Sequence, residues 1–285
     1  MLSAYLARFL QIPLKPLRSL LSFSHIRGNP IVIIDGGLGS QILGWIKYQT
    51  AVEFGKAKNP KERTHLDLEY YLNPPPGQKN LSYFEWELGE YGIELQNLKS
   101  NKRPLLFNFS YNEQARNELY LYESMKLTSW VEYFPLTLSY FKIAEKMQLN
   151  EDYCAIHLRR GDYLQVAARI VGVDEVCSIL NRMKSVLPKL ILVISDSQVT
   201  EDDLRKFKEI LTENVIKVIV GGDIHAAHGI LRQAKILIAS NSAFSLSAAL
   251  TMTNNGLVIA PRNFHGPKNT GINNAYHSLS SWNVI

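Results

Sequence analysis

Five short apolar runs separated by amphipathic stretches constrain the second half of this chain more than any other feature. The runs are Tyr153–Leu158, Leu190–Ile194, Val215–Val220, Ile236–Ala239 and Leu257–Ala260. Each predicts a buried strand. Because strands that alternate with helices form parallel sheets covered on both faces, the pattern predicts an α/β fold.

The stretches between these runs have the signals of helices. Apolar residues spaced as a buried helical face run from Val176 through Ile179 and Leu180 to Leu187. Thr200 and Asp203 resemble a capping box, with Asp in place of the usual Glu or Gln. In parallel sheets, ligands bind where the carboxyl ends of strands meet the loops, so those loops are the places to search for a site.

The first half begins with a strand, a glycine turn and a helix. Ile31–Ile34 predicts the strand, and residues 41–54 predict a helix that Ser40 caps and Gly55 ends. Three consecutive prolines make residues 73–77 a loop. Helical character returns near residues 135–147.

Charge is concentrated in a leader, residues 1–28. No acidic residue precedes Asp35, and the leader's four cations leave a net charge of only +1 for the rest of a chain whose total is +5. A nearly neutral body argues against a nucleic-acid-binding protein. Two cysteines, neither in a CxxC pair, argue for a reducing compartment and against a structural zinc site.

The leader itself has two interpretations. Pro13 and Pro16 interrupt its apolar clusters, which excludes a spanning helix of about 20 residues. Either the leader is a frayed terminus or a clamp on the domain, or it lies on an anionic membrane with its arginines at the headgroups. We expect a cytoplasmic protein, with peripheral contact at the inner face of the membrane as the second possibility.

Three constellations follow predicted strands. The first is the turn of Gly36, Gly37 and Gly39 with Gln41, which would let backbone N–H groups approach a ligand. Its spacing is neither GxGxxG nor a P-loop, and a plain connector explains it equally well.

The second constellation is His157, Arg159, Arg160 and Asp162 at the end of a buried strand. Side-chain alternation sends the two arginines to opposite sides, so that one faces a ligand and the other the scaffold. Asp162 could hold either guanidinium in a bidentate pair. The alternative is an Arg–Asp network at the surface.

The third constellation is Ser240, Asn241, Ser242 and Ser245 at the start of a helix, a second anion-binding arrangement. Capping by a single serine is the simpler explanation. Upstream, Asp223 either accepts the N–H groups of a guanine or caps the next helix. Together the arginines and helix starts predict a diphosphate ligand, and no DxD motif or HxH cluster offers a metal to neutralise it.

In this order the motifs resemble those of the α-1,2-fucosyltransferases, the bacterial O-antigen and blood-group H-type enzymes. The resemblance rests on GGLGSQ from Gly36, HLRRGDY from His157, Ser195-Asp196, SNSAFS from Ser240 and Ala260-Pro261. It extends from about Ile31 to Phe264. It implies metal-independent, inverting transfer of L-fucose from GDP-fucose, without a cofactor, to a galactose-terminated glycan.

The resemblance also implies a GT-B-like pair of Rossmann-type domains with the donor cleft between them. Residues 29–148 would form the acceptor-side domain and residues 149–285 the GDP-sugar-binding domain. Arg159 would bind the β-phosphate and assist its departure, while Asp162 orients an arginine or, less expected, acts as the base. His157 and Asp223 would lie near the guanosine, the serine turn would contact phosphate, and Gly36–Gln41 would face the donor. Arg160 is counted with the donor-binding residues.

The chain departs from the family's usual pattern where aromatic residues are expected. Leu246-Ser247 replaces a Trp-Trp pair, a Trp-Phe pair is missing near Asn263-Phe264, and Ser40 stands where Asn is usual. Aromatic faces commonly line sugar sites, so these changes bear on the acceptor. They motivate an alternative function, a catalytically weak nucleotide-sugar-binding or lectin-like protein.

Overall fold

The structure is a computed structural model. It describes residues 31–58, 65–72, 85–98, 149, 151–161, 171–252, 256–261 and 282–284. The leader, the loop at 73–77, the helical stretch at 135–147 and Asp162 lie outside the described residues. The expectations for them remain predictions, as do the proposed domain boundaries.

Strands and helices alternate through the described residues. The strands are β1 (Ile31–Ile33), β2 (His65–Asp67), β3 (Tyr153–Leu158), β4 (Leu190–Ser195), β5 (Val215–Val220), β6 (Ile236–Ile238), β7 (Leu257–Ala260) and β8 (Trp282–Val284). The α-helices are α1 (Leu38–Lys58), α2 (Glu69–Leu72), α3 (Val173–Met183), α4 (Glu201–Ile210), α5 (Ile224–Gln233) and α6 (Ala243–Leu250). Short 3₁₀ turns cover Leu88–Tyr91, Leu95–Asn97 and Lys184–Val186.

All the strand pairs among the described residues are parallel, and these strands form two sheets. β1 pairs with β2, and the other six strands lie in the order β5-β4-β3-β6-β7-β8. The predicted α/β class with parallel sheets is confirmed, and the presence of two such sheets is what a GT-B-like chain requires. The six-strand order is that of a doubly wound Rossmann-type sheet, whose order reverses between β3 and β6.

Each face of the large sheet packs against its own helices, because strand side chains alternate between the two faces. Ile156 and Ile191 point toward α3 and α4, where Phe207 is fully buried. Ala155 and Leu192 point the other way, into a core that includes α1, α5 and α6. The predicted coverage of both faces is therefore confirmed, and one continuous core joins α1 to the large sheet.

Several predicted boundaries were wrong. α1 begins at Leu38 rather than residue 41, so Ser40 lies inside its first turn and does not cap it. The helix also continues past Gly55 to Lys58, and α3 ends at Met183, before Leu187. A glycine within a long helix costs only about 1 kcal/mol, so it did not have to end α1.

Candidate functional site

The carboxyl ends of β3 and β6 flank the crevice where the strand order reverses. β3 ends in the run that leads to Arg159, and β6 leads to the serine turn and the start of α6. Open α/β sheets bind their ligands in such crevices. The structure therefore brings two of the three predicted constellations together at this crevice.

On the β6 side, the serine hydroxyls form one buried cluster. The Ser242 hydroxyl caps α6 by accepting the Ser245 N–H at 3.2 Å, and the Ser245 hydroxyl accepts the Ser240 N–H at 3.0 Å. The Ser240 hydroxyl lies 3.1 Å from those of Ser242 and Ser245. One capping serine accounts for only the first of these bonds, so the turn is more than an ordinary helix start.

His157 joins this cluster from β3. Its Nδ1 lies 2.6 Å from the Ser245 hydroxyl and 2.9 Å from the Ser240 hydroxyl. Burial, together with the smaller effect of the Arg159 cation beside it, lowers the pKa of His157 to about 4. The imidazole is therefore neutral at neutral pH, and the β6 side of the crevice carries no net charge on these groups.

Asn241 follows directly in the same turn. Its side chain is buried, and within the described part of the chain its Oδ1 has no hydrogen-bond partner. A buried polar atom without a partner is uncommon in folded proteins and needs an explanation. A ligand group bound at the serine turn would supply one.

The two adjacent arginines take opposite sides of the sheet, as strand alternation predicts. Arg159 Nη1 lies 2.9 Å from Asp196 Oδ2 at the end of β4, whereas Arg160 Nη1 lies 2.5 Å from Asp203 Oδ2 on α4. Hydrogen bonds from Arg160 and Thr200 hold the pKa of Asp203 down at about 2, although burial alone would raise it. This placement favours a scaffold role for Arg160 instead of the predicted donor contact.

The capping box predicted at Thr200 is confirmed, with the Thr200 hydroxyl accepting the Asp203 N–H. Among the described residues, Asp196 pairs with Arg159 and Asp203 pairs with Arg160, while the pairing predicted for Asp162 stays a prediction. From the sequence, Asp196 is identified only as part of the Ser195-Asp196 motif, and no role is predicted for it.

The glycine turn lies across from α6. Gly36 has a φ of +78°, which favours glycine. Gly39 is inside α1, and a Cβ placed there would lie only 2.4 Å from the backbone nitrogen of Phe244. Its lack of a side chain therefore serves the close packing of α1 on α6, next to the serine turn.

Gln41 holds this turn in place and is fully buried. Its Nε2 donates to the carbonyls of Gly36 at 3.0 Å and Glu85 at 2.8 Å, and its Oε1 accepts the Glu87 N–H at 2.9 Å. The amide has no N–H left for the predicted donor contact. Gln41 is a scaffold residue, while the carbonyl of Gly37 accepts the first helical bond of α1 from the Gln41 N–H.

Asp223 caps α5 by accepting the N–H groups of His225 and Ala226, at 2.8 and 3.2 Å. It also borders an open cleft of about 670 Å³. The side chains lining this cleft include those of Trp86, Glu87, Glu90, Glu94, Asp223 and His225. No local pattern predicts this acidic cleft, because residues from distant parts of the chain form it.

Two contacts attach residues 85–98 to α5. Glu87 Oε2 lies 2.9 Å from His225 Nε2, and the Tyr91 hydroxyl lies 3.3 Å from His228 Nδ1. His228 Nε2 lies 2.9 Å from the hydroxyl of Ser247, the residue that replaces a family tryptophan. Burial raises the pKa of Tyr91 to about 12 and lowers the pKa of His228, so both groups are neutral at neutral pH.

Two features are absent from the described residues. No group of three or more His, Cys, Asp or Glu side chains among them is arranged to hold a metal ion. Within the same residues, no helix has both the length and the apolar character needed to cross a membrane.

The chain has little similarity to curated proteins or to solved structures. No curated protein matches the chain. One solved structure that matches is a protein from Listeria monocytogenes assigned as a UDP-N-acetylglucosamine 2-epimerase, with 12% identity and a TM-score of 0.31. The match covers 86% of this chain but only 60% of that one, and the strand pairing, not this likeness, establishes the fold class.

A family profile gives the decisive match. Residues 92–285, more than half of the chain, match Glycosyl transferase family 11. The matched range contains both sides of the crevice, including Arg159, His157 and the serine turn. The chain therefore belongs to glycosyl transferase family 11, the α-1,2-fucosyltransferase family.

Proposed function

We propose that this glycosyltransferase moves L-fucose from GDP-fucose to a hydroxyl of a galactose-terminated glycan, in an α-1,2 linkage and with inversion. The observation that carries the proposal is the contact of the serine turn with His157 of β3, because it places that turn beside the strand end that leads to Arg159. Family membership supplies the reaction class, and this geometry supports a diphosphate in the crevice.

In the proposed reaction the acceptor hydroxyl gives up its proton to a base and its oxygen forms a bond to the anomeric carbon, while the bond from that carbon to the β-phosphate oxygen breaks. The GDP that leaves gains negative charge as that bond breaks. The Arg159 guanidinium would stabilise this charge from the β3 side. The N–H groups at the start of α6 would do so from the β6 side, where the helix dipole also favours an anion.

The other donor contacts follow from the same placement. The free capacity of the Asn241 amide supports a contact with the sugar or the diphosphate, and the neutral His157 supports a hydrogen bond that does not depend on charge. Asp223, on the rim of the acidic cleft, would accept N–H groups of guanine. Residues 85–98 would contribute to the acceptor side.

We propose that neither a metal nor a cofactor takes part, because a guanidinium and helix N–H groups lie where a metal would otherwise neutralise the diphosphate. Turnover should then be unchanged in the presence of EDTA. Strict dependence on magnesium or manganese would contradict this part of the proposal.

The test of the donor is a thermal shift screen with GDP, UDP and NAD. A nucleotide that binds only the folded state adds RT ln(1 + [L]/Kd) to the free energy of unfolding, and it therefore raises the melting temperature. We expect GDP to raise it and UDP and NAD to have little effect. Stabilisation by NAD without stabilisation by GDP would refute the proposal.

The acceptor is tested by GDP release from GDP-fucose across a panel of galactose-terminated glycans, with glucose-terminated ones as the control. Release that depends on the galactosides supports transferase activity. Tight GDP binding with no release across the panel would instead favour the nucleotide-sugar-binding or lectin-like alternative, which the loss of aromatics at Leu246 and Ser247 motivates.

For the leader we propose contact with anionic membrane through its apolar clusters and four cations. Flotation with vesicles containing phosphatidylglycerol should recover the full chain, and neutral phosphatidylcholine vesicles are the control. Equal recovery with both, or with neither, would contradict an electrostatic contact.

A further inference from the structure

We propose that Asp196 is a positioning residue for Arg159, and that Gly161 is required because any side chain there would displace the Asp196 carboxylate. This inference rests on the proposed function, since it concerns how Arg159 is aimed at the departing diphosphate. It gives Asp196 an orienting role of the kind that the resemblance implies for Asp162, which lies outside the described residues.

The register of the sheet places Asp196 beside Arg159. β3 and β4 are parallel neighbours in which Leu158 pairs with Ser195, so the residues that follow each of them meet at the sheet edge. The side chain of Ser195 donates to the Leu158 carbonyl at 3.0 Å, which fixes the two strand ends to each other. Asp196 therefore approaches Arg159 from a rigid element.

The Asp196 carboxylate divides its two oxygens between two tasks. Oδ1 accepts the backbone N–H groups of Arg160 at 2.8 Å and Gly161 at 3.2 Å, which sets the turn after β3. Oδ2 pairs with Arg159 Nη1 at 2.9 Å. One carboxylate thus fixes both the backbone that carries Arg159 and the direction of its guanidinium.

Gly161 leaves the space that this carboxylate occupies. A Cβ built on Gly161 would lie 2.6 Å from Asp196 Oδ2, the oxygen that holds Arg159. The backbone of Gly161 does not have the positive φ that excludes other residues. The requirement for glycine is therefore steric: a Cβ at this position would clash with Asp196 Oδ2.

Stability gives no comparable reason for the Arg159–Asp196 pair. The two side chains are 31% and 22% exposed, and partly exposed ion pairs contribute little to folding. By contrast, the Arg160–Asp203 pair on the other face is more buried and is tied into the capping box of α4. The same two residue types thus serve orientation on one face and folding on the other.

The test compares Asp196→Asn with Asp203→Asn in the full chain. The asparagine at 196 keeps an oxygen for the two backbone N–H groups but turns an NH₂ group toward Arg159. Misplacing a reacting group by about 1 Å can cost about 100-fold, so we expect kcat for GDP-fucose turnover to fall about 10- to 100-fold. The KM for GDP-fucose should change much less than kcat. Asp203→Asn should lower the melting temperature and leave kcat per folded molecule unchanged.

A second pair of variants keeps the charge of Asp196 in place. Gly161→Ala adds a methyl group against Asp196 Oδ2, whereas Gly172→Ala adds the same group in open space. We expect Gly161→Ala to reproduce the loss of kcat and Gly172→Ala to match the wild type. This pair decides the question if Asp196→Asn fails to fold.

Normal kcat in Asp196→Asn or in Gly161→Ala would overturn the inference, as would a loss of melting temperature with unchanged kcat. Neither result would affect the proposed function, which stands on GDP release by the wild-type chain. Wild-type protein that neither binds GDP nor releases it from GDP-fucose would overturn both.

Discussion

The two sides of the crevice are built from opposite kinds of groups. On the β3 side a formal charge, Arg159, stays partly exposed and is paired with Asp196. On the β6 side the groups are buried and neutral: they are hydroxyls and backbone N–H groups, and the uncharged imidazole of His157 reaches them from β3.

The difference follows from the cost of burying charge. An ionised group removed from water without full compensation is expensive, whereas a buried hydroxyl needs only a hydrogen-bond partner. In the crevice, the cation Arg159 accordingly lies where water still reaches it. Where the crevice wall is dry, the same attraction for an anion is provided by oriented dipoles.

The largest expected effect comes from altering the charged side. Arg159→Lys keeps the cation but loses the planar fork that can contact two oxygens. Loss of such a donor costs about 100- to 1,000-fold in kcat, and we expect that reduction in GDP release from GDP-fucose, with an unchanged melting temperature. Arg205→Lys, in an exposed ion pair on α4, is the matched control. Normal turnover by Arg159→Lys would remove the role given to the charged side.

A smaller effect is expected from the neutral side. Ser245→Ala removes one of the two hydroxyls that contact His157 Nδ1, and it leaves the buried Ser240 N–H without its acceptor. We expect a loss of about 2 kcal/mol in the free energy of unfolding, measured by denaturant titration, together with weaker GDP binding. Ser178→Ala, exposed on α3, serves as the control. Unchanged stability in Ser245→Ala would show that the hydroxyl cluster is not a packed unit.

The smallest effect is the response of the neutral side to acid. The pKa of His157 is about 4 in the folded chain and 6.5 in the unfolded one, so between these values the unfolded state binds the extra proton. Stability is therefore retained above pH 6.5 and lost as the pH falls toward 4. Between pH 7 and pH 6 the contribution of His157 should fall by about 0.7 kcal/mol.

The measurement is the free energy of unfolding against pH for the wild type and for His157→Gln. The free energy of unfolding should decline less steeply in the variant, because His157 no longer contributes. Some decline should remain, because the pKa of His228 is also lowered by burial. Identical slopes would mean that His157 is not buried in its neutral form.

Much of the large sheet could be predicted because each strand has a local signal. β3, β5 and β7 have the predicted bounds. The capping box at Thr200 joins two residues that are only three positions apart in the sequence. The separation of Arg159 from Arg160 followed from strand alternation alone. These features depend on near neighbours in sequence.

The remaining features depend on contacts between distant residues. β8 at Trp282–Val284 has no apolar run of its own and forms by pairing with β7. The partner of Arg159 could not be chosen between nearby carboxylates without the register of β3 and β4. The scaffold role of Gln41 could not be predicted, because its backbone partners at Glu85 and Glu87 lie more than 40 residues away in the sequence.

The contact of Gly39 with α6 has a mechanical consequence for nucleotide exchange. Backbone meets backbone at this crossing, so no rotating side chain can widen the gap between α1 and α6. Separating the two helices would expose a packed surface right beside the serine turn. We therefore expect α1 and α6 to stay in contact while the nucleotide enters and leaves the crevice.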